Sequence, residues 1–312
     1  MNTKIQTPSN LKKELLIDIC NNSKTFVYKT EKINGYTFHI FSYLILDPNE
    51  FIKYAPYSFE MRGLTILDNG IVIPSIHKFF NHKENNLVMD LPAGNLEVRE
   101  KIDGVLITPI VIDNNIIVKS KKTFFSKEAS IATEFINNNM YYQKFILDMV
   151  NLYGLQPYFE MYSKNTRIVL DYGATQLFLI QMRNINDGSY IDYNTLKKFA
   201  QKYNIPVVNI YNMSISEIEN RLKTDTNIEG WVVQPEYVEH YTDFRKFKTQ
   251  WYLNMSYIKE VSTKENYIIG AILDEKIDDM LSVLEELDKD RKIYIEQLMH
   301  KLSVHIRTHI DY

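Results

Sequence analysis

Two strand–turn–strand units constrain what this chain can fold into. Leu64 to Leu67 and Ile71 to Ile73 flank Asp68-Asn69-Gly70, and an Asn-Gly step accepts the positive φ of a tight hairpin turn. Val105 to Ile112 and Ile116 to Lys119 flank Asp113-Asn114-Asn115 in the same grammar. Turns this short join antiparallel strands, so the sheet pairing is expected to be antiparallel.

Thr37 to Ile45, Tyr158 to Met161, Arg167 to Leu170, Gln176 to Met182, Gly230 to Gln234 and Asp243 to Lys248 read as further strands. Helices are expected where apolar residues recur every three or four positions. Leu11, Leu15 and Ile19 mark one after Ser9-Asn10, and Lys127 to Tyr153, Asn194 to Tyr203 and Ser214 to Leu222 mark others. Ser214 and Glu217 have the spacing of a capping box. Strand-rich segments with interspersed helices indicate an α+β fold built on antiparallel sheets, not a doubly wound sheet. Beyond Lys264 the pattern is helical, with Ile277, Met280, Leu281, Leu284 and Leu287 on one stripe and Ile293, Leu298 and Leu302 on another. The expected division is a main domain over 1–262 and a small all-helical domain over 263–312.

Composition narrows the classes of function. The 312 residues carry a net charge of −3, which gives no global attraction to polyanions, so contact with nucleic acid must rest on local basic patches. Two are visible: Lys119, Lys121, Lys122 and Lys127 interleaved with Phe124 and Phe125, and then Arg245, Lys246 and Lys248. The lone Cys20 excludes an intramolecular disulfide and a cysteine zinc site, and a reducing intracellular setting is expected. The polar start and the lack of a long apolar run predict a soluble, cytoplasmic protein. Abundant Asn, Ile, Lys and Tyr suggests an AT-rich, viral genome. His305 and His309 have i, i+4 spacing but no third ligand, and read as a helix surface rather than zinc ligands.

The chemistry centres on Lys101-Ile102-Asp103-Gly104. A lysine amine has an unperturbed pKa of ~10.4 and is charged at neutral pH, so a nucleophilic Lys101 needs cations that destabilise its ammonium, carboxylates and a divalent metal. Candidates follow in order along the chain. They are Arg62-Gly63, Lys78 in His77-Lys78-Phe79-Phe80-Asn81, Lys119, Glu160, Glu229 before an apolar run, and Lys246 and Lys248 ahead of Trp251-Tyr252. No P-loop or dinucleotide-binding glycine pattern occurs.

That order resembles the covalent nucleotidyltransferase superfamily, and more narrowly the bacteriophage RNA ligase 1 family. The narrower likeness rests on Arg62-Gly63, on Lys78-Phe79-Phe80-Asn81, on Thr166-Arg167-Ile168-Val169-Leu170, and on Lys248 followed three residues later by Trp-Tyr, and it spans roughly residues 35 to 260. The resemblance implies an adenylyltransferase domain and an ATP-dependent RNA ligase that joins 5′-phosphate and 3′-hydroxyl ends through lysyl-AMP and adenylylated RNA. Mg2+, or Mn2+ in its place, is the implied metal, and RNA ends, nicked tRNA among them, are the implied partners of a monomer.

By that resemblance Lys101 accepts AMP, Lys246 and Lys248 face the α-phosphate and lower the Lys101 pKa, Glu160 contacts the ribose, and Glu229 lies at the metal. Arg62, Lys78 and Lys119 handle the departing phosphates. Asp103 fixes the loop holding Lys101, and Gly104 permits close approach of the nucleotide. Tyr252 matches a functional tyrosine, with core packing an equal alternative, and Arg167 either meets an RNA phosphate or pairs with a carboxylate. A DNA ligase or capping guanylyltransferase is disfavoured, since only about 60 helical residues follow Lys248 where an OB-fold would stand. A catalytically inactive RNA-binding module is disfavoured because the charged set is intact.

Overall fold

The computed structural model describes residues 2–82, 95–273 and 277–310. The strands in chain order are β1 (Phe26–Ile33), β2 (Tyr36–Tyr43), β3 (Leu64–Leu67), β4 (Val72–Ile73), β5 (Phe80–Asn81), β6 (Leu96–Glu100) and β7 (Val105–Ile112). Then come β8 (Asn115–Ser120), β9 (Leu155–Tyr162), β10 (Gln176–Asn184), β11 (Ile210–Tyr211), β12 (Gly230–Pro235) and β13 (Arg245–Lys248). The helices are α1 (Lys13–Asn21), α2 (Pro48–Lys53), α3 (Tyr57–Glu60), α4 (Lys127–Asn137), α5 (Met140–Asn151) and α6 (Tyr193–Lys202). The chain continues with α7 (Ile215–Thr224), α8 (Gln250–Val261), α9 (Glu265–Leu273), α10 (Ile277–Leu287) and α11 (Lys289–Ile310).

The strands form three sheets, ordered β1-β2-β3-β4, β10-β9-β7-β8 and β11-β6-β12-β13-β5. Pairing is antiparallel except at the short β13–β5 contact. The hairpins set this layout. Ile112 faces Asn115 across a turn whose Asp113 and Asn114 both have positive φ, the geometry that matches strand twist. Asn34-Gly35 does the same between β1 and β2.

Each sheet has its own apolar cover. Leu16 and Ile19 of α1 pack with Phe26, Phe41 and Phe51 against the first sheet. Phe145, Ile146 and Met149 of α5 and Leu196 of α6 cover Phe159, Leu177 and Leu179 of the second. Ile218 of α7 packs on Val98, Trp231 and Phe247 of the third. The Ser214–Glu217 capping box forms at the start of α7 as expected.

Several expectations need correction. Leu16, not Leu15, completes the buried face of α1, because Leu11 belongs to the preceding turn and the helical phase starts at Lys13. The segment from Lys127 to Tyr153 is two helices, broken at Asn138-Asn139, where the Asn139 side chain caps α5. Arg167 to Leu170 is not a strand: Val169 and Leu170 turn their backbone N–H groups to a side chain instead of a ladder. In α11 Ile295 is buried and Ile293 exposed. The side chains of Leu302, His305 and His309 lie outside the described residues.

Candidate active site

Lys101-Ile102-Asp103-Gly104 connects β6 of the third sheet to β7 of the second, so the motif spans the gap between two sheets. The Lys101 backbone N–H donates to the Gly230 carbonyl at 3.0 Å, which ties the loop to the start of β12. Gly230 has φ +144°, and a Cβ there would stand 1.9 Å from the Phe247 carbonyl oxygen, so only glycine lets β12 and β13 close at this point. That closure places Glu229 beside both lysines of interest. Its Oε2 accepts from Lys101 Nζ at 2.8 Å and its Oε1 pairs with Lys248 Nζ at 3.0 Å.

Asp103 is buried and fully engaged. Oδ2 accepts from the Val169 and Leu170 N–H groups at 2.7 Å each, and Oδ1 accepts from the Tyr252 hydroxyl at 2.7 Å. A carboxylate accepting three hydrogen bonds is a rigid clamp, and it fixes the residue two positions from Lys101. Lys259 of α8 holds the other side of that loop, donating to the Arg167 and Ile168 carbonyls at 2.7 and 2.8 Å. Arg167 itself lies 3.8 Å from Asp171 and donates to the Val169 carbonyl.

A cavity of about 370 Å³ opens between the two sheets at this motif. Arg62, Lys101, Lys121, Lys246 and Lys248 line it with the carboxylates Asp103, Glu160 and Glu229, and Gly104 and Tyr252 border it. Ile102, Ile180, Val208, Val232 and Phe244 form its apolar wall. Lys248 Nζ sits 4.9 Å from the Tyr252 ring centroid, and Lys246 Nζ sits 4.5 Å from that of Phe79.

The charges do not balance within the cavity. Burial, with Arg62, Lys78, Lys101 and Lys248 nearby, holds the Lys246 amine well below the usual lysine range. Burial and Arg62 bring Lys121 down to about 8. Burial pushes the Glu160 carboxyl up to about 7 against the pull of Lys101. An anion entering the cavity would find cations short of partners.

Lys101 departs from expectation. Burial lowers its pKa, but Glu229, Glu160 and Asp103 outweigh burial and hold the ammonium above its ordinary value. The Lys246–Lys248 pair does not leave it neutral, because those carboxylates prevail and Glu229 pairs with Lys248 as well. The reason for Gly104 also differs: a Cβ there would meet the Met161 carbonyl oxygen at 2.4 Å, so glycine is required by the packing of β7 on β9.

Lys78 and Lys119 do not line the cavity. Lys78 Nζ donates to the Phe79 carbonyl and lies 4.2 Å from the Phe80 ring centroid. Lys119 is paired with Thr108, seven residues beyond Lys101, and its buried Nζ donates to the Gly63 and Lys121 carbonyls at 3.0 and 3.3 Å, with burial lowering its pKa to about 7. It braces the backbone beside Arg62 and Lys121. Lys121, seen in the sequence only as part of a basic patch, is the residue that reaches the cavity, because it lies past the end of β8.

The two carboxylates suit a hard divalent cation. Among the described residues no three acidic, His or Cys side chains are placed to hold a metal ion by themselves. Mg2+ is commonly held by one or two carboxylates together with phosphate oxygens and water, which Glu229 and Glu160 beside a triphosphate fit.

A three-sheet α+β fold with a lysine between carboxylate and cations defines a ligase-type nucleotidyltransferase. An archaeal ATP-dependent RNA ligase superposes with a TM-score of 0.58 at 14% identity over 92% of this chain and 77% of its own, which shows the shared fold. A protein of Aquifex aeolicus provisionally titled an ATP-dependent DNA ligase gives 0.52 at 15% identity, over 94% of this chain and 75% of its own. Residues 60–252 match the model of the RNA ligase family, and the chain belongs to that family. A protein of Thermovibrio ammonificans, provisionally named an RNA ligase, is 24% identical over 77% of this chain and 67% of its own length. The matched span holds every cavity residue from Arg62 to Tyr252.

Proposed function

We propose that this RNA ligase works through a covalent adenylate on Lys101, with ATP as the nucleotide. The observation that carries the reading is the Lys101–Glu229 pair at 2.8 Å inside a cavity that Arg62, Lys121, Lys246 and Lys248 also line. The neutral Lys101 amine attacks the α-phosphorus of ATP; the N–P bond forms, the P–O bond to the β-phosphate breaks, and pyrophosphate leaves. The RNA 5′-phosphate then displaces Lys101 and takes the AMP. A 3′-hydroxyl attacks that activated phosphate, forms the phosphodiester and expels AMP.

Each transfer builds negative charge on non-bridging oxygens, which Lys246, Lys248 and Arg62 are placed to stabilise. Glu160 holds the nucleoside end, Tyr252 and Asp103 hold the loop, and Lys78 and Lys119 act on phosphates through the strands they brace. A divalent cation, Mg2+ or Mn2+, would be held by Glu229 with Glu160 and would neutralise the triphosphate. We propose a cytoplasmic location; among the described residues no helix is long and apolar enough to cross a membrane. We propose that the protein acts as a monomer.

The test is incubation with α-labelled ATP and magnesium. Label should stay on the denatured wild-type chain and be absent from Lys101→Ala. An adduct on both would place the nucleophile elsewhere, and none on wild type freed of bound AMP would remove the enzymatic reading. The proposed natural substrate is a broken tRNA. The labelled enzyme should seal a nicked anticodon stem-loop faster than an unstructured RNA of equal length, and equal rates would sink this assignment.

A further inference from the structure

Between β8 and the first turn of α4 the chain runs Lys121-Lys122-Thr123-Phe124-Phe125-Ser126-Lys127, of which only Lys121 lines the cavity. Phe125 is 70% exposed. A single exposed phenylalanine is ordinary on a protein surface, but this one is held from both sides. Before it, Phe124 is buried with its ring centroid 4.8 Å from that of Phe38, and its N–H donates to Glu31 at 2.9 Å. The Phe125 N–H donates to the Thr123 hydroxyl at 3.1 Å, and that hydroxyl donates to Glu31 at 2.6 Å. After it, Ser126 caps α4 by accepting from the Ala129 N–H at 3.1 Å. The backbone that carries the ring is fixed, so a flat group stacking on it loses little to ordering.

Both ends of this segment reach the rim of the cavity. Lys121 lines it, and four residues of chain span at most about 14 Å, which bounds the distance from its Cα to that of Phe125. Lys127 Nζ donates to the Asn165 carbonyl at 3.1 Å, and three residues beyond Asn165, Ile168 lines the cavity again. Lys122, Lys127 and Lys164 are exposed along these two stretches, while Glu31 is already engaged by Lys29, Thr123 and Phe124. Beside Phe125 a shallow hollow over α4 is lined by Ser126, Ser130, Thr133, Asn137 and Glu134. Hydroxyls and an amide suit sugars and base edges, and the acid turns phosphates towards the lysines.

We propose that Phe125 is a stacking platform for a base near the 5′ end of single-stranded RNA, with Lys122 and Lys127 on the phosphates of the same strand. The proposal rests on the reading of the cavity as the site of adenylylation. The strand is the one whose 5′-phosphate takes AMP, because that end must reach Lys101 inside the cavity and its next nucleotides then leave past the cations of the rim, Lys121 among them. Every base has a π-face, so the contact adds affinity without choosing a sequence.

The experiment follows transfer of AMP from a pre-formed Lys101 adduct to 5′-phosphorylated, unstructured RNA, and to the same RNA made abasic at successive positions from the 5′ end. Wild type should need a roughly tenfold higher RNA concentration for half-maximal transfer when one particular base is missing. Phe125→Ala should show a similar rise with intact RNA and no further rise with that abasic RNA, whereas Phe125→Trp, which keeps the stacking face, should behave as wild type. Lys122→Ala should flatten the log–log salt dependence by about 0.7, the loss of a single phosphate contact. Equal use of intact RNA by wild type and Phe125→Ala, or a defect confined to the later joining of the 3′-hydroxyl strand, would overturn the proposal. Should Phe125→Ala fail to fold, the wild-type series decides, since equal use of every abasic RNA overturns it as well. Absence of any adduct from ATP on wild type would instead reject the reading of the cavity, so the two failures are distinct.

Discussion

Glu229 holds Lys101 in the protonated state while the cavity contains no nucleotide, and that sets the pH dependence of the first transfer. The sign follows from the direction of the shift: a lysine held above its ordinary pKa loses its proton only at higher pH, so the rate of adduct formation should climb with pH through the alkaline range. Gln at 229 would remove the negative charge that lies 2.8 Å from the amine and leave only Glu160 and Asp103 to oppose burial. Glu229→Gln should therefore move the pH–rate profile to lower pH while slowing adduct formation on the order of 100-fold, since the proposed metal contact is lost with it. Rates measured from pH 6 to 10 decide the matter. A slow variant whose profile stays in place would mean that Glu229 does not govern the charge on Lys101.

At the scale of strands, the positions of Lys246 and Lys248 depend on how tightly β12 and β13 close. Alanine at Gly230 would put a Cβ 1.9 Å from a backbone oxygen, which cannot be relieved by a rotamer change. Gly230→Ala should lower stability by about 2–3 kcal/mol in urea denaturation and depress adduct formation more than ATP binding, because the lysines and Glu229 shift together. Unchanged stability would show that the sheet can spread at no cost. The sequence displayed some of these strand relations and hid others. Hairpins and alternation were legible because short-range turn chemistry dictates them, and Lys246 and Lys248 share a cavity because a period of two puts them on one face. The register between distant segments was not legible. Nothing local reveals that Lys119 turns to the Gly63 carbonyl, or that Lys121 reaches the cavity in its place. Arg167 to Leu170 looked like a strand because it is β-branched and apolar, yet its N–H groups serve Asp103, some 65 residues away in sequence.

Across the molecule, the cavity lining from Arg62 to Tyr252 ends before α9 begins, while Val261, Ile268, Ile277, Met280, Leu284 and Ile295 make a separate apolar cluster. We propose on these grounds that residues 1–262 form the nucleotidyl-transferring domain and 263–312 a helical unit beside it. The two are joined by more than the chain. Arg291 donates to the Ser262 carbonyl at 2.6 Å, and Ile258 and Val261 of α8 pack into the helical cluster. Lys259 lies between them in sequence and holds the loop that clamps Asp103. A chain ending at Ser262 exposes those two apolar side chains, which should destabilise it by about 2–4 kcal/mol. Every side chain that lines the cavity remains in it. The truncated protein should therefore unfold at lower temperature, by calorimetry, yet still form the Lys101 adduct to within about threefold of the full chain at 15 °C, where both are folded. Circular dichroism reports whether it is folded, which separates lost chemistry from lost structure. A folded truncated chain that forms no adduct would show that the helical unit holds the Asp103 loop through α8, and that 1–262 is not a domain in its own right.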